Sequence, residues 1–417
     1  MPEFVGINPD FRNARHINKY AAGKHIMDRM SVWLTPRCNL RCSYCFQRDD
    51  RGAADWPPKG PRASAALINA LGDFCVKNNV RHVEFFGGEP LYYPETFINT
   101  VKSLRRKVSG LSLGLVTNGT LLDENIMLLL EENSVAVLLS LDGGKTRHNE
   151  LRGGFEKISP WFDRLSKLSN ISIALQAGII PGLAKNIRAV WRCGFKHVFV
   201  NIVESYGWYQ PRDIQLFEKE YETAIRAMLE GEGQLNCALS IHKTLNGTSY
   251  TQECGIIRNG LCCDWRGDLY PCHRAVELGK DFAIGTIDGG VDKEAEGRIR
   301  AKIEKKSFHG GNTGKYKLVS FCPVTAAGHH GKLSNQWNTD FCDLVNIKNK
   351  LVAKHHYAIE AFADKLKPAT QPAKSGTEEQ TPACAPTANN ERITGMNPKA
   401  SFGNRFRSKL RGIIPSA

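Results

Sequence analysis

The chain has 417 residues, a formal net charge of +14, and a composition that is 41% hydrophobic and 24% charged. A chain of this length and composition buries a large core and forms more than one domain, which excludes a disordered or fibrous protein. Its basic residues are dispersed among acidic ones, which predicts a solvated basic surface and disfavours nucleic acid as a partner.

Residues 1–28 form a polar N-terminal extension that lacks the apolar core of a signal peptide. No apolar run in the chain approaches the ~18 residues that span a bilayer. We therefore expect a cytoplasmic protein with no membrane span. In that reducing compartment, the 13 cysteines indicate metal binding or catalysis rather than disulfides.

Short apolar runs alternate with longer amphipathic stretches over residues 29–235. This alternation predicts βαβ units, and six of them predict an α/β fold, a partial (β/α)6 TIM-like barrel. The predicted strands are Ser31–Leu34, Val83–Phe86, Leu113–Val116, Val135–Leu139, Ile171–Gln176 and Val198–Val203. The predicted helices are Ala63–Val76, Glu95–Val108, Asp123–Glu131, Pro160–Leu168, Lys185–Trp191 and Pro211–Leu229.

Three cysteines follow the first predicted strand with the spacing C-x3-C-x2-C, namely Cys38, Cys42 and Cys45. Three thiolates in one loop suit a [4Fe–4S] cluster, and the lack of a fourth cysteine nearby leaves one iron open to another ligand. A tetrahedral zinc site would need a fourth ligand, and three cysteines cannot pair among themselves. Zinc and unrelated thiols remain the alternatives to the cluster.

Polar or glycine-rich loops follow the next three predicted strands. They are Gly87-Gly88-Glu89-Pro90, Thr117-Asn118-Gly119 and Ser140-Leu141-Asp142-Gly143. Because barrel enzymes carry their sites at the carboxyl ends of the strands, these loops and the cysteines predict a single site. The side chains of Ser140 and Asp142 suit the hydroxyls of a ribose, although such residues are equally typical of turns and helix caps.

The cysteine triplet and the Gly-Gly-Glu-Pro loop together resemble the motifs of the radical S-adenosylmethionine (radical SAM) superfamily. The resemblance implies that the open iron binds SAM, that the loop holds the SAM amino group, and that an electron from the cluster cleaves SAM to a 5′-deoxyadenosyl radical. It also implies a flavodoxin or ferredoxin as the electron donor.

The loops after the third and fourth strands resemble the peptide-modifying branch of that superfamily. The similar stretches are Thr117 to Leu121, Ser140 to Gly143, and Arg152-Gly153. In that branch an arginine at the position of Arg152 contacts the SAM carboxylate, and a guanidinium can bind a carboxylate through two hydrogen bonds. A surface arginine is the alternative.

A second group of cysteines falls within residues 236–345. The spacing from Cys254 to Cys272, with Gly267 between them, resembles the start of the SPASM and Twitch extensions. It implies a small α+β Twitch/SPASM-like domain with one auxiliary [4Fe–4S] cluster. The ligands that we favour are Cys254, Cys272, Cys322 and Cys342.

Several alternatives to this ligand set remain open. Cys262 and Cys263 are candidates for two of the four places, and His329 or His330 for one of them. Buried free thiols are the alternative for the whole set. His273, which follows Cys272, takes the place of an acidic residue in sulfatase-maturing relatives, so the resemblance implies a general base there. A structural histidine is the alternative.

Local patterns complete the organisation of the chain. Residues 263–272 predict a β-hairpin that turns at Gly267-Asp268. The stretch Asp340–Lys367 predicts one helix before Pro368, so that 346–367 follow the cluster domain as a C-terminal helix. Residues 368–417 are rich in Pro, Ala, Thr, Ser and Asn and predict a disordered basic tail.

Most relatives with this pair of domains modify ribosomally made peptides, so the resemblance implies a peptide or protein substrate that is cross-linked or oxidised. A small-molecule dehydrogenase or cyclase is the second hypothesis, with Glu204, Trp208 and Tyr209 shaping its pocket. A catalytically silent iron–sulfur scaffold that binds a partner is the third. SAM cleavage separates the scaffold from both enzymes.

Overall fold

The computed structural model describes residues 28–47, 62–204, 207–239, 260–305, 308–309, 320–321, 324, 333 and 338–366. The chain divides into two compact units, residues 1–367 and 368–417. The described residues all belong to the first unit. The predicted basic tail and residues 1–27 of the predicted N-terminal extension lie outside them.

The strands form one large sheet and two small ones. The strands are β1 (Arg29–Trp33), β2 (His82–Phe86), β3 (Ser112–Thr117), β4 (Ala136–Ser140), β5 (Ile171–Gln176), β6 (His197–Asn201), β7 (Gln234–Leu235), β8 (Cys262–Cys263), β9 (Leu269–Tyr270), β10 (Gly285–Thr286), β11 (Gly290–Val291), β12 (Phe308–His309) and β13 (Ser320–Phe321). In the described part of the chain, the large sheet has the order β7-β6-β5-β4-β3-β2-β1-β8-β9. Every neighbouring pair in it is parallel except β8 and β9.

Helices follow the parallel strands, as βαβ units require. The α-helices are Ala65–Lys77, Pro94–Lys107, Glu124–Glu132, Lys145–Leu151, Phe155–Ile158, Phe162–Ser166, Leu183–Arg192, Pro211–Leu229, Lys293–Glu304, Thr339–Lys354 and His356–Lys365. Side chains that accept backbone N–H bonds fix several starts, among them Ser64, Asp123 and Asn338. The helix Pro211–Leu229 begins with a capping box formed by Gln210 and Asp213.

The core lies between the outer face of the sheet and this layer of helices. Residues on one face of each strand are fully buried there, including Val83, Phe85, Leu113, Leu115 and Val137. The architecture confirms the predicted α/β class and the partial barrel. In the described ranges, no helix has both the length and the apolar character needed to cross a membrane.

The prediction of one helix over Asp340–Lys367 is wrong, because the chain forms two helices that meet at His355. His355 has φ −96° and ψ 17°, which ends the first helix. Its Nε2 lies 3.0 Å from Oε1 of Glu222 on the helix Pro211–Leu229. The break therefore lets the C-terminal pair of helices follow the side of the barrel.

The predicted hairpin is confirmed, and the structure gives it a position that the sequence did not indicate. β8 pairs with β1, joining Ser31 to Cys262 and Val32 to Cys263, and β9 returns antiparallel beside it. Gly267 makes the turn with φ +92°, a conformation that favours glycine. The hairpin of the predicted cluster domain is thus an edge of the barrel sheet itself.

Candidate active site

The cysteine loop leaves the carboxyl end of β1 and packs against the glycine loop that leaves β2. The backbone N–H of Glu89 donates to the carbonyl of Arg37 at 2.8 Å, and that of Gly88 donates to Thr35 at 3.3 Å. A Cβ at Gly88 would stand 2.2 Å from the Arg37 carbonyl oxygen. Only glycine therefore lets the two backbones approach this closely.

The three thiols of this loop are free and shielded from solvent. Cys42 is buried, and Cys38 and Cys45 are half-buried. Burial raises the pKa of Cys38 to about 12 and that of Cys45 to about 11. A bound metal supplies the positive charge that removes such protons, since metal-coordinating thiols are deprotonated.

Three thiols in one loop are the donor set of an iron–sulfur cluster. Across the described ranges, no three Cys, His, Asp or Glu side chains lie close enough together to hold one metal ion. A [4Fe–4S] cube distributes its thiolates over separate irons. Two N–H groups also donate to one of the sulfurs, since Leu40 N lies 3.5 Å and Asn118 Nδ2 3.8 Å from Cys38 Sγ. The donor set fits the cluster.

Glu89 ties the loops after β2 and β3 together. Its Oε1 accepts from Thr117 Oγ1 at 2.6 Å and from Leu91 N at 3.1 Å, and its Oε2 accepts from Asn118 N at 2.8 Å. Burial raises the pKa of this carboxyl, and these hydrogen bonds oppose the rise. Glu89 therefore fixes the shape of the rim, where Asn118 lies beside Cys38.

Asp142 and Arg152 form a buried ion pair at the same rim. Arg152 Nε donates to Asp142 Oδ2 at 2.9 Å, and Arg152 Nη1 lies 3.7 Å from Cys42 Sγ. The Tyr44 hydroxyl also donates to Oδ2, and Gln176 N donates to Oδ1 at 2.8 Å. Burial lowers the pKa of Arg152, but Asp142, Tyr44 and Cys42 together raise it by more, so that this pKa lies well above its usual value.

The structure therefore brings the predicted rim residues to one place, with contacts that the sequence did not specify. Gly87, Gly88, Glu89, Pro90, Thr117, Asn118, Ser140, Asp142 and Arg152 all follow or end β2, β3 and β4. Asp142 uses both carboxylate oxygens to hold protein groups, so its predicted contact with ribose stays a prediction. The spacing of residues along the chain did not indicate the bond from Tyr44 to Asp142.

The second cysteine group is described only in part. Cys254, Cys322, His329 and His330 lie outside the described residues. Cys342 is buried in the helix Thr339–Lys354, and burial raises its pKa to about 11. Whether it binds a cluster stays a prediction.

Cys262 and Cys263 face opposite sides of the sheet, as neighbours in a strand do. The Cys262 thiol is close enough to Cys272 and Glu84 for their charges to interact, whereas the Cys263 thiol interacts with Cys75. Cys262 is therefore the one on the side of the predicted ligand Cys272.

His273 lies against the rings of Phe86 and Phe46, with ring centroids 4.5 and 6.3 Å away. Burial lowers its pKa to about 3, helped by the charge of Arg274. The predicted role of His273 as a general base stays a prediction. Next to it, Arg274 Nη1 pairs with Glu204 Oε2 at 2.9 Å, a contact that sequence reasoning missed.

Known proteins resemble this chain both in sequence and in fold. A family model described as the radical SAM superfamily matches residues 33–189. A cysteine-type anaerobic sulfatase-maturating enzyme of Clostridium perfringens is 33% identical over 334 residues, which cover 71% of this chain and 84% of the relative. A GTP 3',8-cyclase of Chlorobaculum tepidum is 29% identical over 161 residues, and the chain spans only 46% of its length.

Two solved structures share the fold. The structure of anSMEcpe with bound AdoMet aligns with a TM-score of 0.63 at 18% identity, covering 81% of this chain and 100% of that one. Streptococcus suis SuiB bound to the precursor peptide SuiA aligns with a TM-score of 0.55 at 15% identity, covering 78% of each chain. Both alignments extend well beyond the residues that the family model matches.

Proposed function

We infer, on the premise that this chain belongs to the radical SAM superfamily and to its SPASM/Twitch-containing branch, that its substrate is a side chain of a ribosomally made peptide or protein. The chain is an enzyme whose cofactors are a [4Fe–4S] cluster and SAM. The observation that carries the substrate proposal is the match to the sulfatase-maturating enzyme, because it covers 71% of this chain and so continues past the barrel.

The residues of the rim can be assigned separate roles in holding the cluster and SAM. Cys38, Cys42 and Cys45 would hold the cluster, and the loops after β2, β3 and β4 would hold SAM. Bound together, these cofactors supply the one-electron chemistry that removes a hydrogen atom from a substrate carbon. Gly88 lets the SAM loop approach the cysteine loop, and Arg152 brings a buried cation that suits a ligand carboxylate.

The shape of the barrel is compatible with an extended substrate. Within the described residues, β7 and β9 are the two edges of the sheet, and no described strand closes the barrel between them. Two neighbours in fold have been solved with peptides, anSMEcpe with one named Kp18Cys and SuiB with its precursor. We propose that the peptide enters this opening and is cross-linked or oxidised beside the rim.

A small-molecule cyclase is the second candidate, and the match to the GTP 3',8-cyclase favours it. That match covers only 38% of this chain, a length that the shared SAM site accounts for. Trp208 Nε1 donates to the Gly178 carbonyl at 2.6 Å and the Tyr209 hydroxyl to that of Ala177 at 2.7 Å, so both polar groups are engaged within the protein. The peptide hypothesis is therefore preferred.

We further propose one auxiliary [4Fe–4S] cluster with Cys254 and Cys272 among its ligands. The side of the sheet that Cys262 shares with Cys272 supports Cys262 as a third ligand, and Cys322 or Cys342 would be the fourth. This cluster would bind the substrate or accept an electron from it.

The test is anaerobic reconstitution of the full chain, followed by addition of SAM and dithionite. Two clusters predict about eight irons per chain, with formation of 5′-deoxyadenosine. The triple variant Cys38→Ala/Cys42→Ala/Cys45→Ala should lose about four irons and all SAM cleavage. A wild-type chain that holds iron but forms no 5′-deoxyadenosine would contradict the proposed function and leave the scaffold hypothesis.

A further inference from the structure

We propose that His148 is a positioning residue for the SAM site, because it holds both members of the ion pair Asp142–Arg152 in the arrangement that would receive the carboxylate of SAM. The proposal rests on the proposed function, in which Arg152 and the loop after β4 bind SAM. His148 is fully buried, with 0% of its surface exposed. It therefore acts through Asp142 and Arg152 and does not itself touch the ligand.

The backbone of His148 links the two ends of a short helix. Its N–H donates to the Gly144 carbonyl at 2.9 Å, and its own carbonyl accepts from Arg152 N at 2.8 Å and from Gly153 N at 3.2 Å. The helix Lys145–Leu151 has only seven residues, and helices of this length are not stable by themselves in water. The backbone of Arg152 therefore depends on the contacts that hold this helix against the barrel.

The ring of His148 supplies such a contact. Its Nδ1 accepts a hydrogen bond from the backbone N–H of Asp142 at 3.3 Å, and the ring packs edge-on against Phe155 with ring centroids 5.8 Å apart. Burial lowers the pKa of His148 to about 4, so the ring is neutral near pH 7 and Nδ1 keeps the lone pair that accepts this bond. The helix is thereby attached to the loop that follows β4.

Both members of the ion pair are thus attached to one residue. The Asp142 backbone is bonded to the His148 ring, and the Arg152 backbone is bonded to the His148 carbonyl. Arg152 Nε donates to Asp142 Oδ2 at 2.9 Å, which completes a closed loop of hydrogen bonds that support one another. Removing the acceptor of the ring would open this loop at Asp142 and leave a buried backbone N–H without its partner.

The orientation of the Arg152 guanidinium is the property on which SAM binding would depend. A guanidinium binds a carboxylate best through two parallel hydrogen bonds, which require a fixed orientation of its plane. Arg152 uses its Nε for Asp142, and its side chain is only 10% exposed, so a shift of Asp142 turns the guanidinium. We therefore expect a change at His148 to weaken SAM binding without removing a group that touches SAM.

The test compares two substitutions in the reconstituted full chain. His148→Leu fills the space without an acceptor, whereas the amide oxygen introduced by His148→Asn can take the place of Nδ1. The dissociation constant of SAM is measured by calorimetry without a reductant, so that SAM is not cleaved, and urea unfolding measures stability. The matched control is His82→Leu, because His82 is another buried histidine. Its Nδ1 lies 3.2 Å from Ser112 Oγ, at the end of the sheet opposite the rim.

We expect His148→Leu to bind SAM about tenfold more weakly, which is the scale of one buried hydrogen bond. His148→Asn should stay within about threefold of the wild type, and His82→Leu should lose stability but keep the wild-type affinity. His148→Gln places its amide further out than Nδ1, so it should behave as His148→Leu does, and it replaces the leucine variant if that variant does not fold.

A His148→Leu variant with wild-type SAM affinity, or equal weakening in the leucine and asparagine variants, would overturn the proposal. An equal loss of affinity in His82→Leu would do the same, because it would assign the effect to stability alone. A reconstituted wild type that holds iron but does not bind SAM would contradict the proposed function instead.

Discussion

Cys262 and Cys263 show how one strand separates two identical side chains. The two thiols lie on opposite faces of the strand, and the charges that act on Cys262 include those of Cys272 and Glu84, whereas those that act on Cys263 include that of Cys75. Burial raises the pKa of both thiols well above its usual value. Adjacent cysteines of equal burial therefore differ in their neighbours, and the neighbours indicate which of them can share a metal.

We predict that Cys262→Ala lowers the iron content of the reconstituted protein by about four irons, the content of one cluster, without preventing SAM cleavage. The reason is that its thiol lies on the side of the proposed ligand Cys272. Cys263→Ala is the matched control and should keep all its iron. Iron and sulfide analysis of the purified variants gives the result, and equal iron loss in both variants would contradict the assignment.

Arg152 shows how a rim side chain can influence the cluster as well as a ligand. Its Nη1 lies 3.7 Å from Cys42 Sγ, and hydrogen bonds to sulfur are among the factors that set cluster potentials. We predict that Arg152→Lys lowers the midpoint potential, because lysine keeps the charge and loses the guanidinium fork. A hydrogen bond worth about 1 kcal/mol corresponds to about 40 mV for one electron.

Redox titration followed by electron paramagnetic resonance, without SAM, measures this potential. Arg147→Lys is the control, because Arg147 lies on the helix Lys145–Leu151, which Arg152 follows, and donates to the Pro181 carbonyl at 2.7 Å. Its potential should match that of the wild type. An unchanged potential in Arg152→Lys would mean that Arg152 affects only SAM.

From the burial of His82 we predict that the protein loses stability in acid. Burial lowers its pKa to about 4, helped by the charge of Arg29. As the pH falls below about 6.5, His82 therefore binds a proton in the unfolded chain before it does so in the folded protein. The stability that the neutral His82 contributes to the fold is lost by about pH 4. Because proton binding is linked to unfolding, the free energy of unfolding is about 2 kcal/mol lower at pH 5.

The measurement is urea unfolding of wild type and His82→Asn at pH 7 and pH 5. The wild type should lose about 2 kcal/mol more than the variant between the two pH values, because asparagine does not titrate. Comparing the two proteins at each pH cancels the contribution of all other groups. Parallel losses in both proteins would contradict the assignment to His82.

At the scale of elements, the loops after β1 and β2 act as one unit because their backbones are in contact. Gly88→Ala would place a Cβ 2.2 Å from the Arg37 carbonyl oxygen, and backbone on both sides leaves little room to adjust. We predict that this variant loses SAM binding and unfolds at lower urea concentration, with a cost of about 1–3 kcal/mol.

Gly297→Ala is the control for this substitution. Gly297 lies in the helix Lys293–Glu304, and its Cβ would meet nothing within 4 Å. Alanine should stabilise that helix by up to about 1 kcal/mol. The measurements are the SAM affinity and the urea unfolding of both variants. A Gly88→Ala variant with normal SAM affinity would show that SAM binding does not require contact between the two loops.

The sequence predicted the parts of the structure that depend on local pattern. The six strands and the helix Pro211–Leu229 were predicted because alternation and capping are visible within a few residues. The break at His355 was missed, since it depends on Glu222 more than a hundred positions away. The pairing of β8 with β1 was missed for the same reason.

The site was predicted in its residues and not in its contacts. Loops that follow parallel strands meet at one edge of the sheet, so the cysteines, Glu89 and Arg152 were identified without a structure. The bond from Tyr44 to Asp142 and the pair Arg274–Glu204 join residues on different elements. Such contacts depend on the relative positions of strands, which spacing along the chain does not give.

At the scale of the whole molecule, the hairpin β8–β9 makes the region after the barrel part of the barrel's stability. β8 covers the edge of β1 next to the cysteine loop, and Ser31 N donates to the Leu261 carbonyl at 2.9 Å. Trp33 stacks on Trp265 with ring centroids 6.3 Å apart. The described residues up to 366 thus depend on one another across the predicted domain boundary at 235.

We predict opposite results from two truncations. A chain that ends at residue 367 keeps the whole first compact unit and should retain the wild-type free energy of unfolding and SAM cleavage. A chain that ends at residue 235 exposes the edge of β1 and the buried face of Trp33, and unpaired edges lead to aggregation. We therefore expect it to be insoluble or to unfold without a cooperative transition. Size-exclusion chromatography and urea unfolding distinguish the two, and a soluble, cooperatively folded 1–235 fragment would show that the hairpin is an appendage rather than a wall of the barrel.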